Sequence, residues 1–201
     1  MRPHCLAQAP GRLANSRGRY SGCAMDTALR AAAIRHDGSC DVDALLAEVV
    51  DAQLRAGRRV RGLLMAPAEQ RGDCLVEMVL VDIETRRGYL VSQQLGRESK
   101  ACRADPQGFA RASEVLRIAL DDAPDLIVCN RFGRLESEGA GFSSELLEIM
   151  SRDIPFLTVV SHHLVDAWQR FTGGAAALLP PRREAVDDWL EHVLSPVRNC
   201  A

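Results

Sequence analysis

Short apolar runs alternate along the chain with segments whose apolar residues recur every third or fourth position. Apolar runs bounded by polar turns suit buried strands; they are Ala31–Arg35, Val60–Met65, Asp125–Cys129 and Ile154–Val160. Apolar residues at helical spacing predict helices; these cover residues 41–57, 105–123, 143–152, 161–171 and 183–194. Two β-rich runs separated by three residues predict a hairpin; they are Val76–Glu84 and Gly88–Gln94.

This order of elements predicts a doubly wound α/β domain, in which a mostly parallel sheet forms the middle of a three-layer sandwich and carries an inserted β-hairpin. Ligands of such domains bind beyond the carboxyl ends of the strands. The loops that we expect to form a site are therefore 36–41, 96–105, 130–141 and 161–163.

The first residues differ in composition from the rest of the chain. Residues 1–24 contain four arginines, no acid and no apolar stretch long enough for a secretory signal. We expect residues 1–25 to be a disordered extension, with an organellar presequence and a natural start at Met25 as the alternatives. A single α/β domain is expected over residues 26–195, followed by a short tail over 196–201.

Charge and cysteine usage narrow the function classes. The 201 residues carry 25 basic and 27 acidic side chains, a net charge of -2, so the chain lacks the basic surface that binds nucleic acid. No apolar run reaches the roughly 18 residues of a membrane span. The seven cysteines are scattered without a C-x-x-C pair, which is typical of reduced thiols and predicts a cytoplasmic protein.

Three stretches, in order, resemble the THEP-type nucleoside-triphosphatases, which are P-loop proteins. Val79–Gly88 is similar to the hairpin of that family, and Lys100–Asp105 resembles the polar segment before its next helix. Asp125–Glu136 resembles its Walker B strand and the block that follows it. The resemblance implies a P-loop-like fold for the domain.

A fuller pattern resembles a bacterial family of unknown function that is often encoded beside molybdate-transport genes. The pattern is carried by Asn130–Gly141, by Ala167 and Trp168, and by Phe171–Gly174. The resemblance implies a relation to P-loop nucleotide hydrolases and a role in molybdate uptake or use. It supplies no specific activity.

The turn before the first helix lacks the groups that a working P-loop needs. Such a loop wraps the phosphates in glycine-rich backbone, places a lysine on the β and γ oxygens, and places a Ser or Thr hydroxyl on magnesium. The lysine and hydroxyl positions correspond to Ser39 and Cys40, in a short turn whose one glycine is Gly38. Three carboxylates around it repel a triphosphate; they are Asp37, Asp41 and Asp43.

The Walker B positions are altered as well. The aspartate that holds magnesium corresponds to Asn130, and the acid that positions water corresponds to Arg131. A neutral amide is a weak magnesium ligand. The chain's one lysine, Lys100, lies in a different loop. We therefore expect degenerate Walker motifs and no rapid hydrolysis of nucleoside triphosphates.

The residues after the strand at 125–129 predict a polar ligand site. We expect Asn130, Arg131, Gly133, Arg134 and Glu136 to form it, with Arg131 offering a planar donor fork to an oxyanion. The alternative is that Arg131 and Glu136 pair with each other on a solvated loop.

Two neighbouring features extend this candidate set. Gly139 and Gly141 either present backbone N–H groups to an anion or form a flexible turn. Lys100 and Arg103 flank Cys102, and two cations lower a thiol's pKa and make it reactive or a ligand for a soft metal. The alternative for these three residues is a solvated loop with a half-buried cysteine.

The candidate set is completed at two other strand ends. Asp37–Cys40 follow the first strand and Ser161 follows the strand at 154–160. His162, His163 and Asp166 are weak metal candidates, because no spacing supplies a third and fourth ligand with second-shell support; loop or capping histidines are the alternative.

These observations predict a non-hydrolysing ligand-binding or accessory protein on an eroded nucleoside-triphosphatase scaffold, with the molybdate link implied by the resemblance alone. The alternatives are a slow nucleotide hydrolase or kinase-like enzyme with a rearranged phosphate site, and a protein-interaction module. The candidate ligands are a nucleotide, molybdate or a similar oxyanion. The candidate partners are a transporter or a cofactor enzyme.

Overall fold

The computed structural model describes residues 29–66, 70–71, 75–76, 78–94 and 102–195. Its strands are β1 (Ala31–His36), β2 (Val60–Met65), β3 (Gln70–Arg71), β4 (Leu75–Val76), β5 (Val79–Asp82), β6 (Gly88–Leu90), β7 (Ser92–Gln94), β8 (Cys102–Ala104), β9 (Leu126–Phe132), β10 (Phe156–Ser161) and β11 (Ala177–Leu179). Its α-helices are α1 (Val42–Arg55), α2 (Pro106–Asp121), α3 (Arg134–Ser137), α4 (Ser143–Ser151), α5 (Val165–Phe171) and α6 (Arg183–Leu194). The expected extension over 1–25 and the tail over 196–201 lie outside these ranges.

Seven strands form one sheet in the order β11-β1-β10-β9-β2-β5-β6. The first five run parallel to one another, and β5 and β6 add an antiparallel hairpin to the edge. Two small antiparallel pairs, β3 with β4 and β7 with β8, stand apart from this sheet. The predicted doubly wound, mostly parallel sheet with an inserted hairpin is confirmed.

Side chains alternate across the sheet and build a separate core on each face. Ala32 and Ile34 of β1 belong to the core that α1 and α6 cover. Ala31 and Ala33 belong to the core that α2, α4 and α5 cover. The domain is therefore the predicted three-layer sandwich. Within the described ranges, no helix combines the length and apolar character needed to cross a bilayer.

Local chemistry sets the two helix starts beside the candidate site. Asp41 caps α1 by accepting a hydrogen bond from the N–H of Ala44 at 2.9 Å, and Asp105 caps α2 through the N–H of Gln107 at 3.0 Å. Pro106 occupies the first helical position of α2, where a missing N–H costs nothing. The first turn of α1 is thereby fixed beside the carboxyl ends of the strands.

Strand β9 is longer than its apolar run predicts. It continues through Asn130 and Arg131 to Phe132, where a loop was expected. The side chain of Thr158 on β10 supports the extension, because its Oγ1 accepts from the N–H of Phe132 at 3.1 Å and donates to the carbonyl of Cys129 at 2.6 Å. Asn130 and Arg131 consequently lie within the strand, where its register with β10 is irregular.

Two smaller differences concern the second half of the chain. The short helix α3 and the edge strand β11 were not predicted. The helix expected from Ser161 begins instead with a 3-10 turn at His162–Leu164, and Ser161 makes no side-chain capping bond. Its α-helical part starts only at Val165.

Candidate functional site

The end of β9 meets the first turn of α1 through one carboxylate. Arg131 donates from Nη2 to both oxygens of Asp43, at 2.9 and 2.8 Å. Asn130 donates from Nδ2 to Oδ1 of the same carboxylate at 2.8 Å. Because a carboxylate only accepts hydrogen bonds, this contact also fixes which way the amide of Asn130 points. Asp43, Asn130 and Arg131 form what we call the carboxylate clamp.

The clamp is partly buried and neutral as a unit. Asn130 is 1% exposed, and the side chains of Arg131 and Asp43 are 35% and 32% exposed. Among the described residues, Oδ1 of Asn130 and Nε of Arg131 are buried and have no hydrogen-bond partner. The positive charge of Arg131 is therefore neutralised by Asp43 within the clamp. Oδ1 of Asn130 remains a buried acceptor, and Nε of Arg131 a buried donor, without a hydrogen bond among the described residues.

His36 ends β1 close enough to the clamp to sense its charges. Burial is the main cause that lowers the pKa of His36 below its ordinary value of 6.5, and Arg131 lowers it further. Asp43 and Asp37 act in the opposite direction without reversing the shift. The imidazole is therefore neutral at neutral pH and adds no cation to this edge of the sheet.

Glu136 holds together the chain that follows β9. Its carboxylate accepts from the N–H of Gly133 at 2.9 Å and from the N–H of Phe142 at 3.0 Å. It is 3% exposed, and burial raises its pKa despite these two bonds. Gly141 packs against it, since a Cβ there would lie 2.1 Å from Oε1. We call this unit the Glu136 loop, residues 133–142.

A cavity of about 740 Å³ lies between the clamp, the Glu136 loop and the hairpin side of the sheet. Asp43, Asn130, Arg131 and Glu136 line one part of it. Much of the remaining wall is apolar; it includes Met65, Met78, Leu80, Val91, Phe109 and Phe142. The last two are in aromatic contact, with ring centroids 5.0 Å apart. A polar end and an apolar body are typical of a small-molecule site.

The model of the family described as "Protein of unknown function (DUF2478)" matches residues 31–189. The chain belongs to this family. The match spans both the clamp and the Glu136 loop, so the site lies inside the part of the chain that defines membership in DUF2478.

The DUF2478 chain is also similar to two other proteins. The Molybdenum import ATP-binding protein ModC 2 of Bradyrhizobium diazoefficiens is 35% identical over 160 residues, which cover 80% of this chain and 18% of that relative. The chain thus spans less than a fifth of the length of this curated relative. THEP1 from the hyperthermophile Aquifex aeolicus has a solved structure with a TM-score of 0.57 and 20% identity, covering 84% of this chain and 99% of that one. The resemblance to THEP-type proteins is confirmed for the fold.

The structure brings some of the predicted site residues of this DUF2478 chain together. Asn130, Arg131, Gly133 and Glu136 all line the cavity. The alternative pairing of Arg131 with Glu136 is wrong, because Arg131 bonds to Asp43 and Glu136 bonds to backbone N–H groups.

The turn before α1 lies apart from the cavity lining. Asp37 accepts from both the N–H and the hydroxyl of Ser39, at 2.9 and 2.5 Å, and these bonds lower the pKa of Asp37. Gly38 has a φ of 88°, and Cys40 is exposed. The residues 37–40 thus form a turn closed by its own side chains.

Backbone hydrogen bonds close the turn that contains the two glycines. The N–H of Gly139 donates to the carbonyl of Glu136 at 3.2 Å, and the N–H of Ala140 donates to the carbonyl of Leu135 at 2.8 Å. Gly141 serves the packing of Glu136. The turn interpretation therefore accounts for the glycines through contacts that the structure contains.

The other candidates fall elsewhere. Lys100 lies outside the described residues, as do the side chains of Cys102 and Arg103. Ser161 ends β10 opposite His36 of β1. The rings of His162 and His163 are in contact, with centroids 3.6 Å apart and planes tilted by 40°. The described part of the chain holds no group of three or more His, Cys, Asp or Glu side chains arranged for a metal ion.

Two features of the site escaped sequence reasoning. From the sequence, Asp43 is expected only to repel phosphate. Its role as partner of Arg131 depends on a contact 88 residues away in sequence. The apolar wall gave no signal of its own, because methionines and phenylalanines that line a cavity look like core residues. The spacing of Gly133 and Glu136 did hold a usable signal, since an acid three residues after a helix cap bonds back to the cap N–H.

Proposed function

We propose that this chain is a non-hydrolysing ligand-binding or accessory protein built on a P-loop-like α/β scaffold. The observation that carries the proposal is the carboxylate clamp. Asp43 occupies both the amide of Asn130 and the guanidinium of Arg131, at the strand end where a hydrolysing relative needs an acid for magnesium and a second acid for water.

Electrostatics supports the absence of phosphoryl transfer. That reaction depends on cations that compensate the charge of the transferring group. Here Arg131 is already neutralised, His36 is uncharged at neutral pH because its pKa is lowered, and Ser39 stands where the P-loop lysine is expected. A triphosphate would therefore meet acids without the usual compensation.

A link to molybdate is part of the proposal and rests on similarity. The relative of 35% identity is a molybdenum import ATP-binding protein, although this chain matches only 18% of it. We propose that the chain serves molybdate uptake or use as an accessory component. The import activity of the whole relative is not carried over.

The test is phosphate release from ATP and from GTP with magnesium, using the full chain. We expect no rate above that of a protein-free blank. Arg131→Ala is compared with Arg183→Ala, a matched control whose arginine pairs with Asp187 on α6. Measurable hydrolysis that disappears in Arg131→Ala and persists in Arg183→Ala would overturn the proposal.

A further inference from the structure

We propose that the cavity beside the clamp binds an uncharged organic molecule with a mostly apolar body and one hydrogen-bond donor. This inference rests on the proposed function and names the ligand class of the same site. It differs from the nucleotide and oxyanion that the sequence suggests.

The size of the cavity is the first argument. Its volume of about 740 Å³ lies within the range of roughly 300–1,000 Å³ that is common for organic ligands. A single tetrahedral oxyanion would leave most of this space empty. Phe109, in contact with the buried Phe142, offers an aromatic face to a larger guest, and Met65 and Met78 are flexible side chains that adapt to its shape.

The charge of the wall is the second argument. Among the described lining residues, two arginines face three acids; they are Arg131, Arg134, Asp41, Asp43 and Glu136. Arg131 is held by Asp43, and the largely exposed Arg134 pairs with Glu138 at 2.7 Å. An anion that enters must compete with these acids, so the wall favours an uncharged guest.

The clamp supplies the third argument. Asn130 donates one of its two amide N–H groups to Asp43, and its Oδ1 is a buried acceptor with no partner among the described residues. A buried polar atom of this kind is costly unless it is satisfied. Because Asn130 lines the cavity, an N–H or O–H group of the ligand is the complement that we assign to it.

A matched pair of fluorescent probes tests the ligand class. N-phenyl-1-naphthylamine is an uncharged arylamine with one N–H, and 8-anilinonaphthalene-1-sulfonate has the same framework with an added anionic group. We expect saturable fluorescence enhancement by the uncharged probe, with a Kd at least about tenfold lower than that of the sulfonate. Equal or tighter binding of the sulfonate, or no saturable binding of the uncharged probe, would overturn the inference.

Two substitutions place the probe in the cavity. Ala47 lines it from α1, so Ala47→Phe should weaken binding of the uncharged probe, whereas Ala52→Phe, an equally half-buried site on α1 away from the cavity, should not. Asp43→Asn leaves Arg131 without its counter-charge and should raise the affinity for the sulfonate. Circular dichroism checks that each variant is folded. If Ala47→Phe is misfolded, the Asp43→Asn result decides alone, and an unchanged preference would contradict the inference.

The outcomes separate this inference from the proposed function. Magnesium-dependent hydrolysis of ATP would overturn the function. Failure of the uncharged probe together with an absence of hydrolysis would overturn only the ligand class, and the chain would remain a non-hydrolysing protein with another ligand.

Discussion

Arg131 donates two hydrogen bonds from one nitrogen to the two carboxylate oxygens of Asp43, at 2.9 and 2.8 Å. The contact ties the end of β9 to the first turn of α1. It also neutralises the charge of Arg131, which the sequence alone predicts to bind an oxyanion. The site is therefore organised around an internal ion pair.

The first prediction concerns the coupling between these two side chains. A double-mutant cycle of Asp43→Ala and Arg131→Ala should give a coupling free energy of about 1 kcal/mol, measured by urea unfolding. The same cycle at Arg183 and Asp187, a pair of similar exposure within α6, should give roughly 0.3–0.5 kcal/mol. Equal couplings would contradict the special role of the clamp.

The second prediction exchanges an amide and an acid within the clamp. Asn130→Asp places a carboxylate against Asp43 where the structure has a 2.8 Å hydrogen bond, and should destabilise the fold by about 1–3 kcal/mol. Adding Asp43→Asn restores one donor and one acid, so the double variant should recover most of the loss in urea unfolding. A double variant less stable than Asn130→Asp would contradict this geometry.

The third prediction compares two glycines of the Glu136 loop. Gly139 and Gly141 have φ values of 79° and 59°, so alanine is strained at both positions. Gly139 has open space for a Cβ, whereas a Cβ at Gly141 would collide with Oε1 of Glu136. Gly139→Ala should cost about 1 kcal/mol of unfolding free energy, and Gly141→Ala at least about 2 kcal/mol. Equal losses of unfolding free energy in the two variants would show that the Glu136 side chain moves away from the added Cβ at no cost, and would contradict the prediction.

The fourth prediction concerns the pH dependence of stability. Burial raises the pKa of Glu136 above its ordinary value of 4.5, so the folded chain holds this proton more tightly than the unfolded chain. The stability that Glu136 contributes is then fully present below that value and is lost as the pH rises through the raised pKa. In urea unfolding from about pH 4 to about pH 7, the stability of the wild type relative to Glu136→Gln should fall with rising pH.

Glu138→Gln is the control for that experiment, because Glu138 is an exposed acid of the same loop. If the stability of the wild type relative to Glu138→Gln falls with pH by the same amount, the effect comes from the overall charge of the loop and not from the burial of Glu136. A wild-type advantage that grows with pH would contradict the buried position of Glu136.

Much of the fold is predictable because its patterns are local. The bounds of β2 at Val60–Met65 and of α6 at Arg183–Leu194 agree with the sequence expectation, since apolar periodicity and flanking prolines or arginines mark them. The extension of β9 is not predictable in this way. Asn130 and Arg131 look like loop residues until two distant contacts are known. Thr158 of a neighbouring strand bonds to Cys129 and Phe132 on either side of them, and Asp43 of a helix accepts from both of their side chains.

The site is predictable only in part, for the same physical reason. Its strand-end position follows from the parallel sheet, and Asn130, Arg131 and Glu136 were named on that basis. Which of these side chains is free to meet a ligand depends on contacts between residues distant in sequence. Arg131 has its charge cancelled from α1, while Glu136 is bound to backbone N–H groups within its own loop.

The near balance of charge on the cavity wall has a consequence for the setting in which the protein works. A site that grips phosphates exchanges counterions with the solution, so its affinity falls as salt rises. Because Asp43 already neutralises Arg131 on the cavity wall, ligand binding there releases few counterions. Occupancy of the cavity should follow the concentration of its ligand and stay nearly constant across the ionic strengths that a cell experiences.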